Sequence, residues 1–557
     1  MSIDLRRINT RVLILSSLGL MHLALLIRRM VTDYSGALFW DEWDARLAMN
    51  VPLQNLNWSL FWEQHNEHRI VFSKILFYLD FAWFNGSNFP LLVINVILAL
   101  LVVLTMYKVL KLHNDKAQIQ DMIPQVYCFT LFSLSILQIE NFSWGFQSQF
   151  YLSILFPLLS FLFYVRYVMQ GYRILMICSY LFCVFSIGTM ASGNFAIVII
   201  LLSSIFLKRP IREVFLHFLI TLVLFGLYFK GYSSKHTSPV DTLIQHTDFI
   251  LQYALVYFAS PINKLTNIQN RTFSVAVVVV LFLFLVKKVC NMYGSEKYNW
   301  TAFVGLMIFS YSIMVAVASA GGRFDFGLDQ ATASRYTTIS LIGWFGALLI
   351  IMQKREMNGK EYKVGWLSIS LLITVIFIPF QVANSGSTSD VKYNRDFASI
   401  VLLQDMQDDD TSMYLYPSSS RLKDLSQSLI QDQKTIFNSN FKKRFTINGD
   451  FSTELINVPD CLGFIDSMRP TSDLRGYVLS GWVTKLGKEE IDLDLIATNR
   501  SNQVIGVGLT GLTRDDVANQ IGNWAARSGF NIVSREKPSQ VFALQTSRVM
   551  CELKFQN

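Results

Sequence analysis

The sequence predicts a polytopic α-helical membrane protein with about eleven transmembrane helices and a C-terminal periplasmic β-sandwich-like domain. Three observations support this prediction. The 557 residues are 52% hydrophobic and only 16% charged, whereas soluble domains carry about 25% charged residues. Apolar runs long enough to cross a bilayer as helices recur between residues 12 and 382. After them the pattern changes to short, strand-like segments. A soluble cytosolic enzyme, an outer-membrane barrel and a disordered scaffold are therefore excluded.

The apolar runs give the order of the predicted spans. Each run is bounded by charged or turn-forming residues, so its limits can be read from the sequence. The eleven predicted spans are 12–28, 89–108, 123–139, 150–165, 174–189, 194–207, 213–229, 272–286, 301–318, 337–353 and 364–382.

The charges of the connecting loops predict the orientation. If the N-terminus is cytoplasmic, the loops on that side contain 18 Lys or Arg in 58 residues, and the opposite loops contain 11 in 137. This difference follows the positive-inside rule, with Arg28–Arg29 as the exception. An odd number of spans then puts the tail outside the cytoplasm.

The chain divides into three predicted parts. They are a membrane domain at 1–382 with long outer loops at 28–88 and 230–271, a linker and mixed α/β segment at 383–460, and a β-rich domain at 461–557. Strands are expected near 474–483, 491–497, 504–509, 542–545 and 549–555. Cys461 and Cys551 bracket this β-region and could form a disulfide in an oxidising periplasm; two buried free thiols are the alternative.

The first outer loop opens with three carboxylates. Asp41, Glu42 and Asp44 lie within four residues, flanked by Trp40 and Trp43. Crowded carboxylates raise one another's pKa, bind a cation or pair with Arg. One interpretation is a general base with a supporting carboxylate. The other is an acidic helix N-terminus beside an interfacial aromatic belt. The residues alone leave both open.

A second polar cluster follows at residues 62–69. If this segment is helical, Glu63 and Glu67 share one side, and His65, His68 and Arg69 lie on another. Two His three residues apart, near carboxylates, could bind a divalent cation, but no third ligand or HExxH spacing is present. We favour contacts from His68 and Arg69 to a phosphate.

The second outer loop combines an acid with amides and aromatic rings. Glu140 ends an apolar span, where a lone carboxylate is costly unless it has a task or a partner. Trp144 and Gln147 are suited to a sugar, because aromatic faces cover the ring and planar amides bind hydroxyls. An aromatic belt with polar capping explains the same residues equally well.

The fifth outer loop, residues 319–336, contains glycines and arginines. Gly321–Gly322 would let backbone N–H groups approach an anion. Arg323 and Arg335 provide forked donors suited to phosphate. The alternative is pairing of these arginines with Asp325 and Asp329, which would only organise the loop.

Taken together, these features resemble a known superfamily. An N-terminal span, a long outer loop with Asp41–Glu42 and amphipathic helices, about ten further spans and a periplasmic tail resemble the GT-C membrane glycosyltransferases, which use polyprenyl-phosphate-linked sugars. The run at 322–336 is similar to one in bacterial surface-polysaccharide proteins, among which O-antigen-modifying glucosyltransferases are the closest functional match. The resemblance implies a GT-C-like fold and an inverting hexosyltransferase.

The resemblance also implies site residues and partners. The first-loop acid corresponds to Asp41, with Glu42 next, and the second-loop acid to Glu140. The expected site falls into three groups: acids Asp41, Glu42, Asp44 and Glu140; donor-phosphate contacts Arg323, Arg335, Arg69 and His68; and sugar or acceptor contacts Trp40, His65, Glu67, Trp144 and Gln147. The expected partners are a polyprenyl-phosphate-linked sugar donor, a surface glycan such as O-antigen, and membrane lipid, with no nucleic acid. No cofactor is assigned, and a divalent cation stays open. The rival functions are an O-antigen polymerase or ligase and a transporter of polyprenyl-linked sugars.

Overall fold

The computed structural model describes residues 10–112, 119–233, 239–266, 271–293, 298–352, 355–357, 360–362, 365–386, 390–447, 449, 461–485, 493–545 and 548–555. The chain forms two compact units. The helical unit comprises Met1–Val31, Pro52–Leu76 and Leu91–Gly386. The tail unit comprises Thr32–Val51, Phe77–Pro90 and Ser387–Asn557. Parts of the predicted linker, at 387–389 and 450–460, lie outside the described residues.

Of the sixteen helices that the described residues form before the tail, eleven coincide with the predicted apolar spans and five do not, two of them within the predicted outer loop at 230–271. Their bounds are α1 Thr10–Asp33, α2 Ser59–Trp62, α3 Val71–Phe84, α4 Phe89–Leu110, α5 Ile119–Ser133, α6 Glu140–Ser143, α7 Ser148–Gln170, α8 Arg173–Ile187, α9 Phe195–Phe206, α10 Ile211–Phe229, α11 Pro239–Gln245, α12 Thr247–Thr266, α13 Arg271–Tyr293, α14 Trp300–Gly322, α15 Ser334–Ile351 and α16 Trp366–Ala383. A short hairpin, β1 Arg355–Met357 and β2 Lys360–Tyr362, precedes α16.

Within the described residues, eight helices are long and apolar enough to cross a membrane. They correspond to eight of the eleven predicted spans. The other three predicted spans, near 123–139, 174–189 and 194–207, are shorter apolar helices. The prediction of a membrane-embedded helical protein is therefore confirmed, and the number of spans stays a prediction.

Small residues and helix caps explain two local features of the helical unit. A Cβ on Gly305 of α14 would lie 2.8 Å from the carbonyl oxygen of Gly346 in α15, so these helices approach closely only because both positions are glycine. The side chain of Asn299 caps α14 by accepting a hydrogen bond from the Ala302 N–H, 3.1 Å away. The start of α14 and its packing on α15 are therefore encoded locally.

The tail unit contains a closed seven-stranded barrel. Its strands are β3 Cys461–Pro470, β4 Tyr477–Lys485, β5 Asp494–Thr498, β6 Val504–Leu512, β7 Gly529–Ser534, β8 Gln540–Gln545 and β9 Arg548–Phe555. The order is β3-β4-β7-β6-β5-β8-β9, and parallel pairing of β3 with β9 closes it. The sandwich prediction is thus corrected to a barrel. The sequence reading missed β3 and β7, and without them the sheet could not close on itself.

The rest of the tail unit is a helical layer against the barrel. Its helices are α17 Val391–Leu403, α18 Asp409–Ser412, α19 Ser419–Gln431, α20 Ser439–Phe445 and α21 Asp515–Ile521. Phe397 and Val401 of α17 pack on barrel residues. Ala398 and Leu402 pack in a second cluster that includes the buried Trp43 of the first outer loop. Apolar residues on two sides of α17 therefore tie barrel and helices into one core.

Candidate functional site

Two arginine–carboxylate pairs form the centre of the candidate site in the helical unit. Arg323 lies 3.6 Å from Glu67, and Arg335 lies 3.1 Å from Glu140. The two arginine side chains are 24% and 27% exposed. Arg323 also interacts electrostatically with Arg335 and Tyr336. Two guanidinium groups thus lie near each other, partly accessible, each held by a carboxylate.

Neighbouring helix ends position these arginines. Arg323 directly follows α14, and Arg335 lies in the first turn of α15. Asp329, one of the two carboxylates predicted to pair with these arginines, instead pairs with Arg271, 2.5 Å away. The anion nest predicted at Gly321–Gly322 is also wrong. Both glycines belong to the last turn of α14, where backbone N–H groups point back into the helix.

Asn141 joins the second outer loop to α15. Its side-chain amide donates to the Arg335 carbonyl oxygen at 2.8 Å and to the Thr338 hydroxyl at 2.6 Å. Ser334 donates to the Leu137 carbonyl oxygen at 3.0 Å. These bonds fix the position of Glu140 opposite Arg335. Asn141 is a positioning residue that the sequence reading did not select.

Lys264 of α12 is a further cation near this pair. Its ammonium group donates to the Thr337 hydroxyl, 3.2 Å away, and interacts with Glu140. Burial lowers the pKa of Lys264 to about 8, and Glu140 opposes that shift. The sequence analysis missed Lys264 because it predicted a long loop at residues 230–271, where no motif surrounds this lysine. The only sequence feature that could have identified Lys264 is that it is one of few cations in the predicted outer loop at 230–271.

Arg69, predicted to bind phosphate, instead donates its hydrogen bonds to backbone carbonyl oxygens. Its guanidinium donates to the carbonyl oxygens of Tyr228, Trp62 and Lys230 at 2.8, 2.7 and 2.7 Å. Arg69 is also buried and stacks near the Trp62 ring. This geometry favours a structural role, in which Arg69 holds the end of α10 against the first outer loop.

The segment around the two histidines is a tight turn rather than a helix. α2 ends at Trp62, and His65 and His68 exchange backbone hydrogen bonds of 2.8 and 2.9 Å. Burial lowers the pKa of His68 to about 4, and Arg323 adds to that shift. His68 is therefore neutral near pH 7, which disfavours its predicted role as a phosphate-binding cation. No group of three or more metal-ligating side chains occurs in the described part of the chain.

Trp144 and Gln147, predicted to contact a sugar, are buried. The Trp144 ring stacks on Phe146 with a centroid distance of 5.6 Å, and His65 packs on the other edge of Phe146 at 5.4 Å. Gln147 is 1% exposed. These contacts disfavour a sugar-binding role for Trp144 and Gln147, and they place His65 in the same aromatic cluster.

In the tail unit, Glu42 is part of a buried charge network. One Glu42 oxygen accepts the Phe39 N–H at 2.8 Å, and the other lies 3.3 Å from Arg46. Arg46 also pairs with Asp80. Burial raises the pKa of Glu42, and Arg46 opposes the shift. With both oxygens engaged and no exposure, Glu42 has the environment of a structural residue.

Asp41 and Asp44 differ from Glu42 and from each other. Asp44 pairs with Arg421 and accepts the Tyr416 hydroxyl at 3.0 Å. Asp41 is half-buried, and among the described residues its carboxylate has no hydrogen-bond or ion-pair partner. The preceding Trp40 is 40% exposed and has φ +49, a strained value for a bulky residue. Of the three acids, Asp41 is thus the one left available.

The two tail cysteines are joined by a disulfide. Cys461 lies at the start of β3 and Cys551 lies within β9, with their Cα atoms 6.1 Å apart. The bridge therefore links the two strands that close the barrel.

Comparison with known proteins finds no family model that matches the chain and no curated protein that matches it. Its functional assignment therefore depends on the chemistry of its own residues. The described residues establish apolar, membrane-length helices followed by a C-terminal barrel domain.

Proposed function

We propose that this chain transfers a sugar, a hexose such as glucose, from a polyprenyl-phosphate donor to a surface glycan such as O-antigen. In this proposal the reaction takes place on the periplasmic face of a bacterial inner membrane, with a cytoplasmic N-terminus and a periplasmic tail. The observation that carries it is the cluster of Arg323, Arg335 and Lys264 at the ends of apolar helices.

The cluster suits the head group of a lipid-linked donor. Arg binds phosphate oxygens through two parallel N–H bonds, and a partly dry site strengthens such bonds. The apolar polyprenyl tail would stay in lipid beside the apolar helices. Glu67 and Glu140 hold the guanidinium groups in place when no phosphate is bound. A phosphate would then replace those carboxylates as the partner of the guanidinium groups.

The proposed step balances without a further reactant. The oxygen of an acceptor hydroxyl attacks the anomeric carbon, and the bond from that carbon to the phosphate oxygen breaks. The polyprenyl phosphate leaves with the electron pair, where the arginines stabilise its charge. A carboxylate takes the hydroxyl proton. Direct displacement in one step inverts the anomeric configuration.

Asp41, which belongs to the tail unit, is the base that the resemblance to GT-C enzymes suggests. Its lack of a partner within the described residues supports this choice, because an unpaired carboxylate is free to accept a proton. Glu42 and Asp44 are both engaged by cations. Glu140 is the second candidate, since it already lies at the arginine cluster.

The mass of the surface glycan tests this proposal in cells. Deleting the gene, or introducing Arg335→Met, should remove one hexose from each repeat. Arg271→Met is the matched control, because Arg271 forms an exposed ion pair with Asp329 in the same unit. A change of chain length alone would instead indicate a polymerase or ligase. An unchanged repeat mass in the deletion strain would contradict glycosyl transfer.

A further inference from the structure

A second site is present in the tail unit. A cavity of about 400 Å³ opens between α17, α20, strand β6 and the segment at residues 34–36. Its volume falls within the range of small-molecule sites, about 300–1,000 Å³. No residue of this cavity belongs to the candidate site of the helical unit.

Aromatic rings form part of the cavity wall. Phe441 and Phe445 of α20 pack against each other with a centroid distance of 4.9 Å. Tyr34 and Tyr393 contribute further rings. Their hydroxyls donate to backbone carbonyl oxygens at 2.8 and 3.1 Å, and Asn531 also hydrogen-bonds the Tyr393 hydroxyl. Rings of this kind cover the apolar face of a sugar.

Charged side chains complete the wall, and each is balanced. Lys392 lies 2.9 Å from Asp396, and the Ser35 hydroxyl donates to the same carboxylate at 2.7 Å. Arg444 pairs with Asp494 at 2.6 Å, and Arg527 with Asp390 at 2.6 Å. The cavity is thus lined by three cations and one carboxylate, and the arginines are held in ion pairs by two further carboxylates that do not line it, so each cation has a counter-charge.

We propose that this cavity binds an uncharged oligosaccharide of a few sugar rings. Sugar hydroxyls both donate and accept hydrogen bonds, so paired carboxylate and cationic groups can satisfy them. A lipid tail would have to desolvate these charges without replacing their hydrogen bonds. As the acceptor-glycan site this cavity depends on the proposed function; as a glycan-binding site it does not.

Ligand titration of the purified full-length protein, without donor, tests the inference. The probes are maltotriose, cellotriose and mannotriose, with trigalacturonate and inorganic phosphate as charged comparators. The test variant is Lys392→Met combined with Asp396→Leu, which removes an ion pair at the cavity. Arg475→Met is the matched control, because Arg475 makes an exposed ion pair with Asp473 and does not line the cavity. Calorimetry gives affinity, and thermal unfolding shows whether each variant is folded.

At least one neutral trisaccharide should bind saturably, and the double variant should weaken it about tenfold or more, as expected when hydrogen bonds to charged groups are lost. The control variant should bind normally. Absence of binding by all three neutral trisaccharides, equal binding by the folded double variant, or preference for phosphate or trigalacturonate would overturn the inference. Glycan binding without sugar transfer would contradict only the proposed function, and transfer with no binding at this cavity would contradict only the inference.

Discussion

At the scale of single residues, Asp41 and Glu42 show how adjacent acids acquire different environments. Glu42 is buried between a backbone N–H and Arg46, whereas the Asp41 carboxylate has no partner among the described residues. The sequence shows three acids in four positions. It cannot show which acid faces Arg46, because that depends on the irregular π-type turn at Glu42–Arg46.

Substitutions at these two residues should therefore have different effects. Asp41→Asn should keep stability and lower the rate of sugar transfer by about 10²–10⁴-fold, the usual contribution of a general base. Glu42→Ala should destabilise the tail unit by about 3 kcal/mol, because it leaves part of a buried charge network uncompensated. Denaturant titration and transfer kinetics measure the two effects. Full transfer activity in Asp41→Asn would exclude Asp41 as the base.

The arginine cluster gives a second residue-scale prediction. Arg335→Lys keeps the charge and loses the forked donor, so transfer should fall by roughly 10–100-fold. Arg271→Lys, at the exposed pair with Asp329, should leave the rate unchanged. Initial rates at several donor concentrations provide the comparison. Equal rates for both variants would show that the reaction does not depend on two parallel hydrogen bonds from the Arg335 guanidinium to the donor phosphate.

His68 gives a prediction about pH. Its pKa in the folded protein is lowered from 6.5 to about 4 by burial. Between these values the unfolded chain binds more protons than the folded chain, so stability should rise with pH across this window. The folded protein therefore has its full stability with respect to His68 above pH 6.5 and loses part of it as the pH falls toward 4. Thermal unfolding from pH 4 to 7 should show a flatter pH dependence in His68→Gln than in the wild type; identical slopes would contradict this.

At the scale of structural elements, the apolar runs were readable because membrane helices must be long and continuous. All eleven runs coincide with helices, although only eight reach full spanning length in the described residues. The strands of the tail were harder to predict from the sequence. β3 contains Gly463, Asp466 and Ser467, with a register shift between Ile465 and Ser467, so it lacks the regular alternation that identifies a strand.

The contacts that build the site were also beyond local sequence patterns. The side chain of Asn141 holds Arg335 through bonds that span 194 residues. The guanidinium of Arg69 reaches carbonyl oxygens more than 150 residues away. The sequence identified these side chains as polar and placed them near the predicted ends of the membrane helices. Which partner each one takes is decided by helix packing, which a single sequence does not display.

The disulfide between the two strands that close the barrel gives a prediction about stability. The Cys461–Cys551 disulfide connects residues 90 positions apart on β3 and β9. Replacing both cysteines with Ala should destabilise the tail unit by about 2–5 kcal/mol, because the unfolded chain regains conformational freedom. Denaturant titration should show the same loss for the variant and for the reduced wild type. A variant as stable as the oxidised protein would contradict a structural role for this bridge.

At the scale of the whole molecule, parts of the first outer loop belong to the tail unit. Residues 32–51 and 77–90 share its core although about 300 positions or more separate them from the tail in sequence. Hydropathy reports which segments are apolar and does not report which distant segments fold together. The sequence therefore predicted the order of the helices better than the composition of the units.

The loop charges predict the arrangement in the membrane. Alkaline phosphatase fused after the last residue should be active, because the tail is expected on the periplasmic side. A fluorescent protein that matures only in the cytoplasm should be dark at the same position. The reverse pattern would place the tail in the cytosol and would remove the basis for periplasmic transfer.

Transfer of label by the purified protein in liposomes tests the central claim most directly. The donor is a polyprenyl-phosphate hexose labelled in the sugar, and the acceptor is a lipid-linked surface glycan. We predict that label moves to the glycan, that free polyprenyl phosphate appears in equal amount, and that Arg335→Met abolishes both while Arg271→Met does not. An intact donor after prolonged incubation with folded wild-type protein, or label that only crosses the bilayer, would contradict the assignment.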